Sequence, residues 1–333
     1  MTSVGTKMVK RDYSLDSVCG VLILYMIFHH SSQFSGTTND ILYTTATRLL
    51  GFFMAWFYFK SGMFHKTQKS VKNVIASNCR KFLVPFFVYT IIGEFVRFFF
   101  ELRSDIHTDI APFLYSSLVS IIRRSSTTGN MALWFLLSLF FVKCIVSVFE
   151  RFSLPMFSMC IFSLAFFLPT RTLVLSLIDP KTPWVLWQVS LGMFFYSAGC
   201  CLKNIQYTRP LFVLSLFVYV ILLIFCRSSI DFRSGNLTHG YYTLYMIQSI
   251  AGIITFNNIF KLEWLQIPMF KSIGKDSLYY YSLHWIVLTV VVNLMGGGKK
   301  LRTSFCNFYG RNPYSTSNNV LTRTFERIKS ERN

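Results

Sequence analysis

Apolar residues fall in long runs near 17–36, 43–64, 82–100, 132–149, 152–169, 183–202, 210–226, 241–260 and 277–295. A bilayer core about 30 Å thick needs roughly 17 to 25 helical residues to cross it, so the pattern predicts an all-α, polytopic transmembrane helical bundle of about nine spans. Pro85, Pro155, Pro183 and Pro210 lie near the starts of four runs, where proline costs a helix least. Residues 1–16 read as an N-terminal segment ahead of a transmembrane domain over 17–295. The first apolar run ends without a small-residue cleavage site, so it is expected to stay as a signal-anchor. Residues 296–333 are polar and basic, and are expected to form a disordered tail.

Composition agrees with the pattern. Of 333 residues, 53% are hydrophobic and 14% charged, more apolar surface than one soluble core could bury, and the excess must face lipid. Aromatics at 18% recur in blocks such as Phe98-Phe99-Phe100, which suit lipid-facing and interfacial surface. The net charge of +19 would suggest nucleic acid in a soluble protein. Here the Lys and Arg sit mostly between the apolar runs, so they are read as topology signals, with the lipid bilayer and not a nucleic acid as partner. The eight cysteines show no paired or zinc-like spacing and read as small buried residues, so no metal site is expected.

Loop charge sets the expected orientation. Lys7, Lys10 and Arg11 precede the first run, and Lys66, Lys69, Lys72, Arg80 and Lys81 follow the second, whereas the loop between those two runs has almost none. The N-terminus is therefore expected on the cytoplasmic side of the plasma (inner) membrane, and the loop with Lys261, Lys271 and Lys275 falls on the same side. The segment near 101–131 mixes acidic and basic residues and leaves room for an interfacial helix. Nine crossings would put the basic tail outside, against the rule; either a span is miscounted, or the tail is tolerated outside, or the sequence here is not that of an intact parent protein.

Ionisable groups within lipid mark functional sites by default. In the first run His29 and His30 lie about 20 Å along the helix from Asp16. His30 shares a stripe with Cys19, about 20° away in direction, and with Asp16, about 40° away, whereas His29 points about 100° aside. This favours His30 for chemistry, against the plainer reading of a satisfied buried histidine. Glu94 and Arg97, one turn apart, read either as a self-neutralising pair or as substrate ligands, and Lys143 and His284 are further polar groups within apolar runs. Trp134 is an interface anchor or a stacking platform. Ser61-Gly62 allows close helix approach.

Leu15-Asp16-Ser17-Val18-Cys19-Gly20 followed by His30 resembles the first helix of the acyltransferase 3 family, membrane enzymes that move acyl groups from acyl-CoA onto sugars and related acceptors. Phe57-Tyr58-Phe59-Lys60-Ser61-Gly62-Met63-Phe64, Arg80-Lys81-Phe82-Leu83-Val84-Pro85, Leu133-Trp134-Phe135, and Ile273-Gly274-Lys275-Asp276-Ser277 with His284 are similar to later family motifs, in order. The likeness is greatest to the fucose 4-O-acetylase-like branch. Many members have arginine where this chain has Cys19, and the family usually has a tenth span where this chain has residues 296–333.

The resemblance implies an O-acyltransferase, above all an O-acetyltransferase, acting on a cell-surface or exported carbohydrate such as a polysaccharide or lipid-linked glycan. Acetyl-CoA would be the acyl donor and co-substrate, with no metal. His30 and Asp16 would be catalytic, His30 as general base toward the acceptor hydroxyl. Lys66, Arg80 and Lys81 would meet the donor's phosphates, or serve only as topology signals. Trp134, Ser61, Glu94, Arg97, Lys275 and His284 would line the substrate. Two other readings stay open: a transporter or flippase of glycan precursors, and a catalytically dead relative.

Overall fold

The structure is a computed structural model and describes residues 11–66, 70–103, 109–175, 185–226 and 228–295. The tail at 296–333 and Lys69 lie outside the described residues. The fold is all-α, as the pattern predicts. The helices are α1 (Tyr13–Ser35), α2 (Ile41–Leu50), α3 (Phe53–Met63), α4 (Val71–Asn78), α5 (Val84–Arg103), α6 (Ile110–Arg124), α7 (Trp134–Arg151), α8 (Met156–Leu175), α9 (Val185–Leu202), α10 (Arg209–Phe225), α11 (Tyr242–Ile259), α12 (Pro268–Lys275) and α13 (Ser277–Leu294). One short antiparallel hairpin, β1 (Ser229–Asp231) with β2 (Asn236–His239), stands among them.

Each of the nine apolar runs holds one of these helices or a joined pair. Among the described residues, five helical stretches are long and apolar enough to cross a membrane: Tyr13–Ser35, Val71–Arg103, Met131–Arg151, Val185–Leu202 and Ser277–Leu294. The run near 43–64 is two helices, α2 and α3, interrupted at Gly51-Phe52. The basic stretch before 82 is helical, not an open loop: α4 passes into α5 through a π-helical turn at Cys79–Leu83. The cause is local. Val84 N–H bonds back to the Cys79 carbonyl, and Pro85, next in line, has no N–H to restore the α ladder.

The ends of α1 follow from its sequence. The Asp12 carboxylate accepts the Ser14 N–H at 3.0 Å, and Gly36 closes the helix in the left-handed conformation, its N–H bonded to the Ser32 carbonyl. Two close crossings then build the bundle. A Cβ on Gly274 of α12 would meet the Asp16 carbonyl of α1, and one on Gly20 would meet the Phe270 carbonyl. Between α3 and α9, a Cβ on Gly62 would strike the Tyr196 carbonyl and one on Gly199 the Phe59 carbonyl. Small residues let backbones approach where no hydrophobic force draws helices together in lipid.

The segment near 101–131 does contain a helix, α6. Ile110, Leu114, Tyr115, Leu118 and Ile122 are exposed, while Phe113 and Ser117 are buried. Ser117 donates to Glu94 Oε2 at 2.7 Å, and the Arg97 guanidinium lies 4.1 Å over the Phe113 ring.

The chain divides into two compact units, Met1–Ile286 and Val287–Asn333. The first holds α1 to α12, the hairpin and the histidines described next. In the second, the described residues are helical up to Leu294, and Asn293 Nδ2 donates to the Thr289 carbonyl at 2.8 Å.

Candidate active site

His29 and His30 lie in the last two turns of α1, bridged by Gln33 one turn on. His30 Nδ1–H donates to Gln33 Oε1 at 2.9 Å, and Gln33 Nε2 donates to His29 Nε2 at 3.1 Å. With that nitrogen accepting, His29 carries its proton on Nδ1 and donates to the Tyr43 hydroxyl of α2 at 3.2 Å. The chain Tyr43–His29–Gln33–His30 thus fixes both tautomers and leaves Nε2 as the acceptor of the His30 ring.

Against His30 stands α13. The His30 and His284 rings stack with centroids 5.3 Å apart and planes 23° off parallel, and Trp285 meets His30 edge-on at 5.1 Å. His284 is 5% exposed, and its Nδ1–H donates to the Tyr281 carbonyl at 2.6 Å. The lone pair is therefore on Nε2, a buried atom without a hydrogen-bond partner among the described residues. A buried acceptor left unsatisfied costs the desolvation of that group, which marks a place where a ligand's O–H would fit.

The segment between α6 and α7 sets the position of α13. Asn130 Nδ2 donates to the Ser282 carbonyl at 2.9 Å, and the Tyr281 hydroxyl donates to the Ala132 carbonyl. Gly129 N–H donates to Glu94 Oε1 at 2.8 Å, so α5 holds this segment through the same carboxylate that takes Ser117 and, at 3.2 Å, Arg97.

Of the residues expected from sequence, the structure brings together His30 and His284. Trp134 is 8% exposed, with its ring 6.4 Å from Phe232 at the hairpin turn and, among the described residues, in ring contact with neither histidine. Ser61 is half-buried beside the Gly62 crossing. Glu94 and Arg97 form the α5–α6 clamp. Asp16 does not meet His30: it is about 21 Å away along α1 at 1.5 Å per residue, and Arg11 holds it through Nε at 2.5 Å and Nη2 at 3.2 Å. Arg11 thereby brings a cation to the end of α1 where Cys19 offers none. Lys275 is exposed in the last turn of α12.

A second cluster, not anticipated as a unit, lies at the other end of α3. His65 Nδ1 bonds the Tyr196 hydroxyl and His65 Nε2 bonds Glu150 Oε1, both at 2.7 Å. Lys66, Lys81 and Lys143 line the cavity of about 230 Å³ beside them, and Arg80 is exposed on the same π-helical turn as Lys81. The hairpin turn was also missed. Its only sequence signal is the polar Ser234-Gly235-Asn236 stretch between two apolar runs, which marks a turn but not where the turn goes.

The profile of one family, described as an acyltransferase domain of the acyltransferase 3 group, matches residues 12–307. No curated protein and no solved structure matches the chain.

Proposed function

The chain belongs to the acyltransferase 3 family and is a membrane acyltransferase; from that premise we propose that it moves an acyl group, most simply acetyl, from acyl-CoA to a hydroxyl of a cell-surface or exported carbohydrate. The observation that carries the reading is the stacked pair of His30 and His284, each with Nδ1 committed as donor and Nε2 left to accept. In this reading His30 Nε2 takes the proton of the acceptor hydroxyl as its oxygen attacks the thioester carbonyl. The tetrahedral intermediate expels the CoA thiolate, and the imidazolium returns the proton to it. A thioester is already activated, so the step asks no more of the protein than base, positioning and charge stabilisation. The sugar acceptor rests on the likeness of the motifs, in their order and spacing over roughly residues 11–295, to the fucose 4-O-acetylase-like branch.

The donor's phosphates would lie at the lysine cavity, against Lys66, Lys81 and Lys143 with Arg80 near by. The helix α3 that separates the two sites, Phe53–Met63, is about 15 Å long at 1.5 Å per residue, and Phe53 packs on His29 with ring centroids 6.1 Å apart. The flexible pantetheine arm suits a path between the two ends of α3. The test is purified protein in nanodiscs given acetyl-CoA and a panel of sugars, with free thiol and acylated product measured. Thiol release that depends on an acceptor is expected. No transfer from any acyl-CoA to any hydroxyl would overturn the function.

The lysine cavity must then face the cytosol, where acyl-CoA is made. In a cysteine-depleted background, single cysteines placed at residue 66 or residue 80 should resist a membrane-impermeant thiol reagent in intact cells and react after lysis. Efficient labelling in intact cells would reverse the orientation.

A further inference from the structure

The turn of the hairpin is built to hold one cation inside the bundle. Asp231 Oδ1 accepts the Arg233 N–H at 3.0 Å, Asp231 Oδ2 accepts the Ser234 hydroxyl at 2.6 Å, and the Asp231 carbonyl accepts the Gly235 N–H at 2.8 Å. Gly235 has φ +67°, where a Cβ would be strained and would press on Trp187. The fully buried Gln188 donates to the Arg233 carbonyl at 3.0 Å. Phe232 lies flat on Tyr58, centroids 5.5 Å apart and planes 15° off parallel. Arg233 itself is 8% exposed.

Its guanidinium reaches the segment that orders the histidine site. Nη2 donates to the Ser126 hydroxyl at 2.9 Å, and Nη1 points at the Met131 sulfur at 3.4 Å. Residues 126–132 thus hold Arg233 on one side and Tyr281 and Ser282, the neighbours of His284, on the other. Tyr281, bonded to that segment at the Ala132 carbonyl, in turn lies with its ring centroid 6.1 Å from that of His284. A thioether is a weak acceptor, so the N–H aimed at Met131 loses little by turning to a stronger one.

We propose that Arg233 is a catalytic residue of the acyl transfer, its guanidinium stabilising the oxyanion that forms beside His30 and His284. This rests on the acyl-transfer reading above. As the acceptor oxygen bonds to the thioester carbon, the C=O π pair moves onto the carbonyl oxygen, and the acceptor's proton goes to His30. On collapse that pair re-forms C=O, the C–S bond breaks, and the thiolate leaves with the proton from His30. The negative charge exists only between the two steps, and a cation preorganised in a dry site lowers that state more than the substrates.

The alternative is a structural clamp on residues 126–132, and the experiment separates the two. Wild type, Arg233→Ala and Arg233→Met, which keeps the stem without the charge, are compared for kcat and KM toward acetyl-CoA, with and without added guanidinium ion. A fall in kcat of about 10²- to 10³-fold is expected, with KM changed less than about threefold. Guanidinium should restore part of the rate to Arg233→Ala and none to His30→Ala. If Arg233→Ala does not fold, Arg233→Met alone decides by the same fall in kcat. Either variant folded with kcat near wild type, or a loss in Arg233→Ala that guanidinium leaves unchanged, overturns the role of Arg233 and leaves the acyl-transfer reading standing. A wild type that transfers nothing overturns both.

Discussion

Replacing His30 with alanine is expected to lower acyl transfer by about 10²- to 10⁴-fold, the range for a lost general base, while the protein elutes as before. The reason lies in the bonding around the ring: His30 Nδ1–H donates to Gln33 Oε1, so Nε2 is the basic atom, and the substitution removes it outright. His284→Ala should cost a comparable factor, because its Nε2 is a second buried acceptor beside the same ring. The double variant should lose little more than the worse single, since two groups serving one step are not additive. His29→Ala should retain more activity, because His29 meets His30 through the Gln33 amide and Gln33 Oε1 can still accept the His30 Nδ1–H. Initial rates of acceptor-dependent thiol release, with melting temperature as the check on folding, decide the matter. Equal losses at His29 and His30 would mean that the two imidazoles act as a pair, and an active His30→Ala would remove His30 from the chemistry.

The apolar runs were legible because each is long, and residues that face lipid need no partner to be recognised. His30 was legible for the converse reason: an imidazole in such a run is costly unless it is used or bonded. Helical periodicity set His30 and His29 on different faces, and His30 packs on α13 while His29 packs on Tyr43, but direction is not contact. Asp16 shares the stripe and lies three to four turns away, on Arg11. The Glu94–Arg97 pair was visible as an i, i+3 spacing, yet its larger consequence, the hold on Ser117 and Gly129, joins residues far apart in sequence. The hairpin was illegible for the same reason. A polar stretch between two apolar runs reads as a loop over the membrane surface, and only packing against Tyr58, Trp134 and Gln188 turns it inward. The break between α2 and α3 was hidden because Gly51-Phe52 does not lower the apolarity of the run.

The crossing of α3 and α9, like that of α1 and α12, should tolerate little change. Gly62 faces the Tyr196 carbonyl and Gly199 faces the Phe59 carbonyl, so the two helices touch backbone to backbone at two points. A valine at either position meets main chain and not a side-chain tip that could swing away. Relief must come from separating the helices, which also loses the packing around them. Overpacked sites typically cost about 1 to 3 kcal/mol and occasionally more, and Gly62→Val and Gly199→Val are expected at or above the top of that range. That is a large part of a total stability of about 5 to 15 kcal/mol. The displacement would also reach the site, because α3 carries Phe53 against His29 and Tyr58 against Phe232, with the Tyr58 hydroxyl donating to Ser138 at 2.6 Å. Both variants should therefore give little monodisperse protein on gel filtration in detergent, and what survives should melt well below wild type. Leu214→Val on the exposed face of α10 is the control and should melt close to wild type. Wild-type yield and melting temperature for Gly62→Val would show that α3 and α9 do not approach this closely in the bilayer, and that Ser61-Gly62 is there for the chemistry instead.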